Sequence, residues 1–425
     1  MNTTANDHIA LISVHGDPAV DIGGEEAGGQ NVYVRQVGEA LAQQGWQVDM
    51  FTRFADANQQ RIVQHQPNCR TIRLTAGPAE FIPRHDIFGY GGDFVEELLK
   101  FCHNEGIQYS LCHTNYWISG WVGLELKKRL SLPMVHTYHS LGVVKYQSVE
   151  KIPPIASTRL EIEKDCLETA DCIVATSPQE KEYMRELVST QGNIEIIPCG
   201  TDINRFGSIN YRNARTHLGI APETTVIFYI GRFDERKGIE TLVRAVGALK
   251  LRREETPLQL VLGGGSHPNK PDGAERQRIE GMVTELGMES FTHFPGRIDD
   301  GELSAYYAAA DVCVVPSHYE PFGLVPIEAM ASGTPVVASN VGGLQYTVVS
   351  EQTGLLVPPK DVEAFRQAID RILSHPEWRA QLSVNARKRV EEKFSWEGVA
   401  AQLSELYAQL ISEPVASINQ AQANV

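Results

Sequence analysis

The chain has 425 residues, of which 42% are hydrophobic and 21% charged, and its formal net charge is −15. That length exceeds one ordinary core and predicts two α/β domains. The acidity excludes a long nucleic-acid footprint, which needs a basic surface.

The polar start, Met1 to His8, lacks a basic segment followed by an apolar stretch, so no secretory leader is expected. No run of about 18 apolar residues offers an integral membrane segment. The seven cysteines show no C-x-x-C spacing, which argues for reduced thiols in a cytoplasmic protein and against structural zinc.

Short apolar runs alternate with helical spacing along the chain, the pattern of parallel sheets with crossover helices. The first strand is read at Ile9–Val14, and Val34, Val37 and Leu41 then recur at helical spacing before Gly45. Further strands are predicted at Gln47–Phe51, Met134–Tyr138, Cys172–Thr176 and Glu195–Pro198. A second series follows at Val226–Ile230, Leu258–Leu262, Val312–Val315 and Pro335–Ala338. The expectation is an N-terminal Rossmann-like domain at 1–212 and a C-terminal one at 213–396, linked near 203–222. A last helical segment, about 397–425, is expected to cross back onto the first domain, with a frayed end from Glu413.

Four segments could carry chemistry. Glu25-Glu26-Ala27-Gly28-Gly29-Gln30-Asn31 lies between the first strand and helix, where glycines let a ligand approach the helix N-terminus that suits a diphosphate. Taken alone it also reads as a plain strand-to-helix turn, and the dinucleotide fingerprint G-x-G-x-x-G is absent. Gly231-Arg232-x4-Lys237-Gly238 follows an apolar strand, at the carboxyl end where open α/β sheets bind ligands. Arg232 and Lys237 could meet an anion there, or belong to a solvated charge run.

The third segment is Glu320-Pro321-Phe322-Gly323-Leu324-Val325-Pro326-Ile327-Glu328. Pro326 fits a first helical turn, and Gly333 with Pro335 fits its end. Two carboxylates near one helix start can accept from sugar hydroxyls or serve as caps. The fourth is His136-Thr137-Tyr138-His139-Ser140, with histidine the default acid–base candidate. No metal-ligand spacing and no Asp-x-Asp pair is found, so neither a metal site nor a resident cofactor is expected.

In this order and spacing the set Gly28-Gly29-Gln30, Gly231-Arg232-x4-Lys237-Gly238 and Glu320-x7-Glu328 resembles the retaining GT-B glycosyltransferases that include sucrose synthases and bacterial glycogen synthases. The resemblance implies two Rossmann-like doubly wound domains facing across a cleft. It implies donor binding by Gly28, Gly29, Gln30, Arg232 and Lys237 at the diphosphate and Arg297 at the base. Glu328 would hold the ribose, and Glu320 would hold the sugar with the N–H groups of Phe322, Gly323 and Leu324. His139 is implied near the sugar's 6-hydroxyl, and His139, Arg232, Lys237 and Glu320 are implied as catalytic.

His15-Gly16-Asp17-Pro18, Gly28–Arg35 and Val135–Leu141 are most similar to bacterial sucrose-phosphate synthases. His113–Trp117 and Val144-Lys145 also resemble the glucosaminyltransferase of mycothiol synthesis that acts on inositol phosphate. Both imply a phosphorylated acceptor, gripped here by Arg84, Lys145 and Arg159 with Tyr116. The implied reaction joins glucose from UDP-glucose or ADP-glucose to fructose 6-phosphate. Alternatives are N-acetylglucosaminyl transfer to inositol phosphate, a sucrose synthase using free fructose, and a non-catalytic nucleotide-sugar sensor. The larger sucrose-phosphate synthases carry a second, hydrolase-like domain. The chain ends at Val425 without one, so a separate sucrose-phosphate phosphatase is expected to finish the pathway.

Overall fold

The computed structural model describes residues 7–20, 28–147, 152–253 and 255–412. Two compact units form: one from the start to Pro198 together with the segment from Trp396, the other Cys199–Ser395.

Unit 1 holds strands β1 (His8–Ile12), β2 (Gln47–Arg53), β3 (Ile62–Gln66), β4 (Cys69–Leu74), β5 (Leu111–Asn115), β6 (Met134–Thr137), β7 (Cys172–Ala175) and β8 (Ile194–Ile196). Among the described residues they make one sheet in the order β3-β4-β2-β1-β5-β6-β7-β8, parallel except for β3 against β4. Burial on both faces explains the apolar runs of the parallel strands. β5 departs from that pattern, because it buries His113, Thr114 and Asn115. They are tolerated because each has a partner: the His113 ring lies 2.5 Å from the Tyr407 hydroxyl and 2.8 Å from Thr137 Oγ1, and Thr114 Oγ1 lies 2.8 Å from His136 Nδ1.

Unit 2 holds β9 (Thr225–Ile230), β10 (Leu258–Gly263), β11 (Thr292–Gly296), β12 (Val312–Val315), β13 (Val336–Ser339) and β14 (Gly354–Val357). Their order among the described residues is β11-β10-β9-β12-β13-β14. This is the doubly wound order, with its topological switch between β9 and β12. The switch in unit 1 falls between β1 and β5.

The units part at Pro198, earlier than the expected 212. The reason is that the short helices Ile203–Phe206 and Tyr211–His217 belong to the second core. The Phe206 ring meets Tyr307 edge-on, and Arg215 is ion-paired to Asp311 at 2.7 Å. The chain returns with the helix Trp396–Ser412, which packs in unit 1: Trp46 Nε1 donates to Ser404 Oγ at 2.9 Å. Residues 413–425 of the expected crossover segment lie outside the described residues.

Candidate active site

Unit 2 is assembled around its switch point. β9 delivers Gly231–Gly238, and β12 delivers Pro316–Glu320. The two loops are joined by backbone, since the His318 N–H donates to Arg236 O at 2.7 Å. Gly238 is left-handed at φ 66°, and a Cβ there would stand 2.1 Å from Pro316 O, so the position excludes any side chain. This close approach brings Lys237 Nζ to 2.6 Å from Glu320 Oε2, both only partly exposed.

Arg236 is spent on Asp234, to which it donates from Nε at 2.9 Å and from Nη2 at 2.5 Å. Burial opposes ionisation of Asp234, but the Arg236 hydrogen bonds outweigh it and hold the carboxyl below its usual range. The exposed Arg232 stands in the same loop, whose backbone is pinned by Tyr229 Oη donating to Arg232 O at 3.2 Å.

The helix Leu324–Ala331 starts from Gly323 at φ 96°, with Pro326 in its first turn, and gives way to Gly333 at φ 78°. Glu328 lies on that helix, and Tyr307 Oη donates to its Oε2 at 2.7 Å. Burial and the Glu328 carboxylate both push the Tyr307 phenol well up, so it stays a donor. Phe322 is buried edge-on against Phe394. The Gly343 N–H donates to Glu320 O at 3.0 Å, which fixes the loop from the far side. Arg297 is exposed just after β11.

In unit 1, Glu25, Glu26 and Ala27 lie outside the described residues. The helix Gly29–Gln43 begins after Gly28, whose N–H donates to Asn31 Oδ1 at 3.1 Å. Gln30 ties this helix start to the neighbouring strand ends, because its Nε2 donates to Ser13 Oγ at 3.0 Å and to Asn115 O at 3.3 Å. Asn31 Nδ2 does the same to Asp17 O at 3.0 Å.

His139 sits just past β6 at φ 57°, with its ring edge-on to Tyr33 at 4.8 Å and its Nε2 2.9 Å from Asn115 Oδ1. Burial pushes its pKa down to about 3, so the ring is neutral at pH 7.

Tyr116, at φ 74°, follows β5 and gathers the cationic residues. Its ring lies 4.6 Å from His15, with Arg84 at 5.6 Å and Arg159 at 5.0 Å. Arg159 is buried, and its guanidinium is already engaged. Nε donates to Glu163 Oε1 at 2.7 Å, Nη1 to Tyr116 Oη at 3.2 Å, and Nη2 to Ser140 O at 2.5 Å. Lys145 is partly buried on the short helix Gly142–Gln147. The structure thus brings Arg84, Tyr116 and Arg159 together, with Arg159 as an internal strut.

Sequence reasoning passed over three residues of these sites. Glu163 had a signal, the i,i+4 spacing from Arg159 on one helix. Tyr307 and the amide of Asn115 had none, since each meets its partner only through the sheet order. Among the described residues no group of three or more His, Cys, Asp or Glu side chains could hold a metal ion, and no helix is long and apolar enough to cross a membrane.

Two doubly wound parallel sheets, matching solved GT-B glycosyltransferases, give the chain its class. The chain belongs to the group 1 glycosyltransferases. Residues 210–389 match the family described as "Glycosyl transferases group 1", and 27–205 match "Glycosyltransferase Family 4". It is similar to the sucrose-phosphate synthase of Thermosynechococcus elongatus, at 53% identity and TM-score 0.87, covering 96% of this chain and 99% of that one. It is also similar to the D-inositol 3-phosphate glycosyltransferase of Corynebacterium jeikeium strain K411, 35% identical over 95% of this chain and 96% of the relative. Anabaena HepE in complex with UDP and glucose shares the fold, with 20% identity and TM-score 0.74 over 94% of this chain and 99% of that one. The protein is a hexosyltransferase.

Proposed function

We propose that this hexosyltransferase is a retaining sucrose-phosphate synthase, which transfers glucose from UDP-glucose or ADP-glucose to the 2-hydroxyl of fructose 6-phosphate. The observation that carries the reading is the 53% identity to a sucrose-phosphate synthase over almost the whole of both chains, against 35% for the inositol phosphate enzyme. In this reading unit 2 holds the donor. Arg232 and Lys237 take the diphosphate, Glu328 the ribose and Arg297 the base. Glu320 and the N–H groups of Phe322, Gly323 and Leu324 take the glucose. Unit 1 supplies Gly28, Gly29 and Gln30 to the diphosphate and His139 to the sugar. Arg84 and Lys145, with Tyr116, serve the acceptor phosphate, while the buried Arg159 braces Tyr116 and Ser140.

The step forms a bond from the fructose 2-oxygen to the anomeric carbon and breaks the bond from that carbon to the diphosphate oxygen. The hydroxyl proton passes to the departing diphosphate, and attack and departure share one face of the sugar, so configuration is retained. No carboxylate nucleophile is invoked, unlike the double displacement of retaining glycosidases. Negative charge grows on the diphosphate, so Lys237 and Arg232 act most strongly in the transition state. Lys237 then leaves its resting partner Glu320, 2.6 Å away, which frees that carboxylate for sugar hydroxyls. The product is sucrose 6-phosphate, so a separate phosphatase is its expected consumer. Cytoplasmic placement goes with this reading.

The second reading is N-acetylglucosaminyl transfer to inositol phosphate, and its acceptor is favoured by relatives named D-inositol 3-phosphate glycosyltransferase at 32–35% identity. One assay separates the readings: UDP-glucose or UDP-N-acetylglucosamine is offered with fructose 6-phosphate, fructose and inositol 3-phosphate in parallel. Sucrose 6-phosphate from the phosphorylated ketose alone is expected. Equal rates with free fructose would indicate a sucrose synthase. Consumption of the N-acetylglucosamine donor would install the second reading, and binding without turnover on any pair would leave a sensor.

A further inference from the structure

Three histidines crowd the ends of β5 and β6, and they differ in what faces them. His113 meets two hydroxyls, those of Tyr407 and Thr137, and His136 meets the hydroxyl of Thr114. A hydroxyl can donate or accept, so neither contact dictates where the ring proton sits. His139 instead faces the side-chain amide of Asn115, with Nε2 and Oδ1 2.9 Å apart. The orientation of that amide is set by its other end. Nδ2 points to the carbonyl oxygens of His113 at 3.3 Å and Ile12 at 3.5 Å, which can only accept. The oxygen end therefore faces His139, and an amide oxygen only accepts.

We propose that Asn115 is a positioning residue that fixes His139 as its Nε2–H tautomer, so that Nδ1 offers a lone pair to a hydroxyl of the transferred sugar. This rests on the reading that His139 meets the donor sugar. Two further observations support it. His139 keeps a left-handed backbone, φ 57°, which a non-glycine residue adopts only where the surroundings demand it. Its ring is also held on another side by Tyr33, edge-on at 4.8 Å. Asn115 is itself anchored, since its backbone oxygen accepts from Gln30 Nε2 at 3.3 Å. The start of the glycine-flanked helix and the histidine are thus set by one residue. Burial keeps the ring neutral at pH 7, so one proton must be assigned to one nitrogen, and the amide assigns it.

The test begins with the substrate-free wild-type protein. With histidine labelled by 15N, long-range 1H–15N correlation spectra at pH 7 should place His139 in the Nε2–H form, its signal identified by loss in His139→Gln. Finding the Nδ1–H form, or an equal mixture, overturns the proposal. Asn115→Leu should release the ring into a mixture of tautomers. It should also lower kcat by about tenfold, with the acceptor KM unchanged.

Asn115→Asp keeps the shape and supplies a carboxylate, which favours the imidazolium. Around His139 this charge would act alongside His15, His113 and His136, the Tyr33 hydroxyl, and the Arg159–Glu163 pair behind Ser140. In that variant Nδ1 becomes a donor as pH falls, so a new acid limb in kcat between about pH 5 and 8 is expected. A pH profile identical to wild type, with the His139 tautomer unmoved in both variants, overturns the role of Asn115. The spectra need no substrate, so an error in the donor sugar would abolish only turnover and leave the tautomer result standing.

Discussion

Around the Lys237–Glu320 pair of unit 2 the strand-end loops turn on glycines, whereas the loops after β5 and β6 of unit 1 turn on the candidate site residues Tyr116 and His139 themselves. Gly238 (φ 66°), Gly323 (φ 96°) and Gly342 (φ 47°) take the left-handed positions around Lys237 and Glu320, and a Cβ on Gly342 would fall 2.3 Å from Glu320 O. After β5 and β6 of unit 1 the left-handed residues are Tyr116 (φ 74°) and His139 (φ 57°), at a backbone cost on the order of 1–3 kcal/mol each. The difference reflects what each loop must present. Unit 2 packs backbone on backbone at Gly238 and Gly342, where no side chain fits, and so brings a short lysine–carboxylate pair together. Unit 1 needs the side chains themselves at the bend, and their neighbours hold them there. The strain at Tyr116 is offset by the Arg159 hydrogen bond and the His15 ring, and that at His139 by Asn115 and Tyr33.

The largest effect that sharpens this contrast is acid sensitivity. In unit 1, burial foremost holds His15, His65, His113, His136 and His139 below the ordinary histidine range; in unit 2, His318 is so held. Folded-state values lie below unfolded ones. The stability from neutral imidazoles is therefore complete above about pH 6.5 and is lost as pH falls toward the folded values. Glu163 and Glu180 are raised by burial and act in the opposite sense, so they lessen the net fall. Each net proton changes stability by about 1.4 kcal/mol per pH unit. Urea midpoints read by tryptophan fluorescence, to which Trp46, Trp117, Trp121 and Trp396 of unit 1 contribute, should fall between pH 7 and 5.5. A midpoint that stays constant would show that these rings are not held neutral.

Next comes Glu163→Gln. It removes one partner of an ion pair whose side chains are 2% and 1% exposed, and leaves the Arg159 cation uncompensated. A loss of about 3–5 kcal/mol is expected, read as a lower thermal midpoint. If the mutant melts with wild type, Arg159 is not the strut described above.

Lys237→Ala touches unit 2 chemistry instead. A fall of about 10²–10³ in kcat is expected, with the acceptor KM little changed, because in the proposed reaction the ammonium acts on charge that develops in the transition state. Equal damage to kcat and acceptor KM would argue for a general loss of structure.

The smallest expected effect is from Tyr307→Phe, which deletes one hydrogen bond to Glu328. About 1 kcal/mol, or roughly fivefold in donor KM, should appear with kcat retained. If kcat falls and donor KM does not, the proposed role of Glu328 in holding the nucleoside fails.

Much of this site was legible from local pattern. The apolar runs marked β1, β2, β6, β7, β8, β9, β10, β12 and β13, and the segments after four of those strands carried the named motifs. Among the described residues, two of the five missed strands have a clear physical explanation. β5 disguises itself with buried histidine, threonine and asparagine, and β3 is an edge strand whose residues stay partly exposed. The boundary misplaced at 212 fell in two short helices whose allegiance depends on packing against Tyr307 and Asp311, about a hundred residues away.

By itself, then, the sequence determined two doubly wound sheets and the chemical groups at their strand ends, because burial and turn formation act over a few residues. Only the tertiary structure decided the partners: Lys237 with Glu320, Tyr307 with Glu328, Arg159 with Tyr116 and Ser140, and His139 with Asn115. Strand order sets which loops become neighbours at a switch point. The partners joined there are 19 to 83 residues apart, beyond the reach of any local pattern.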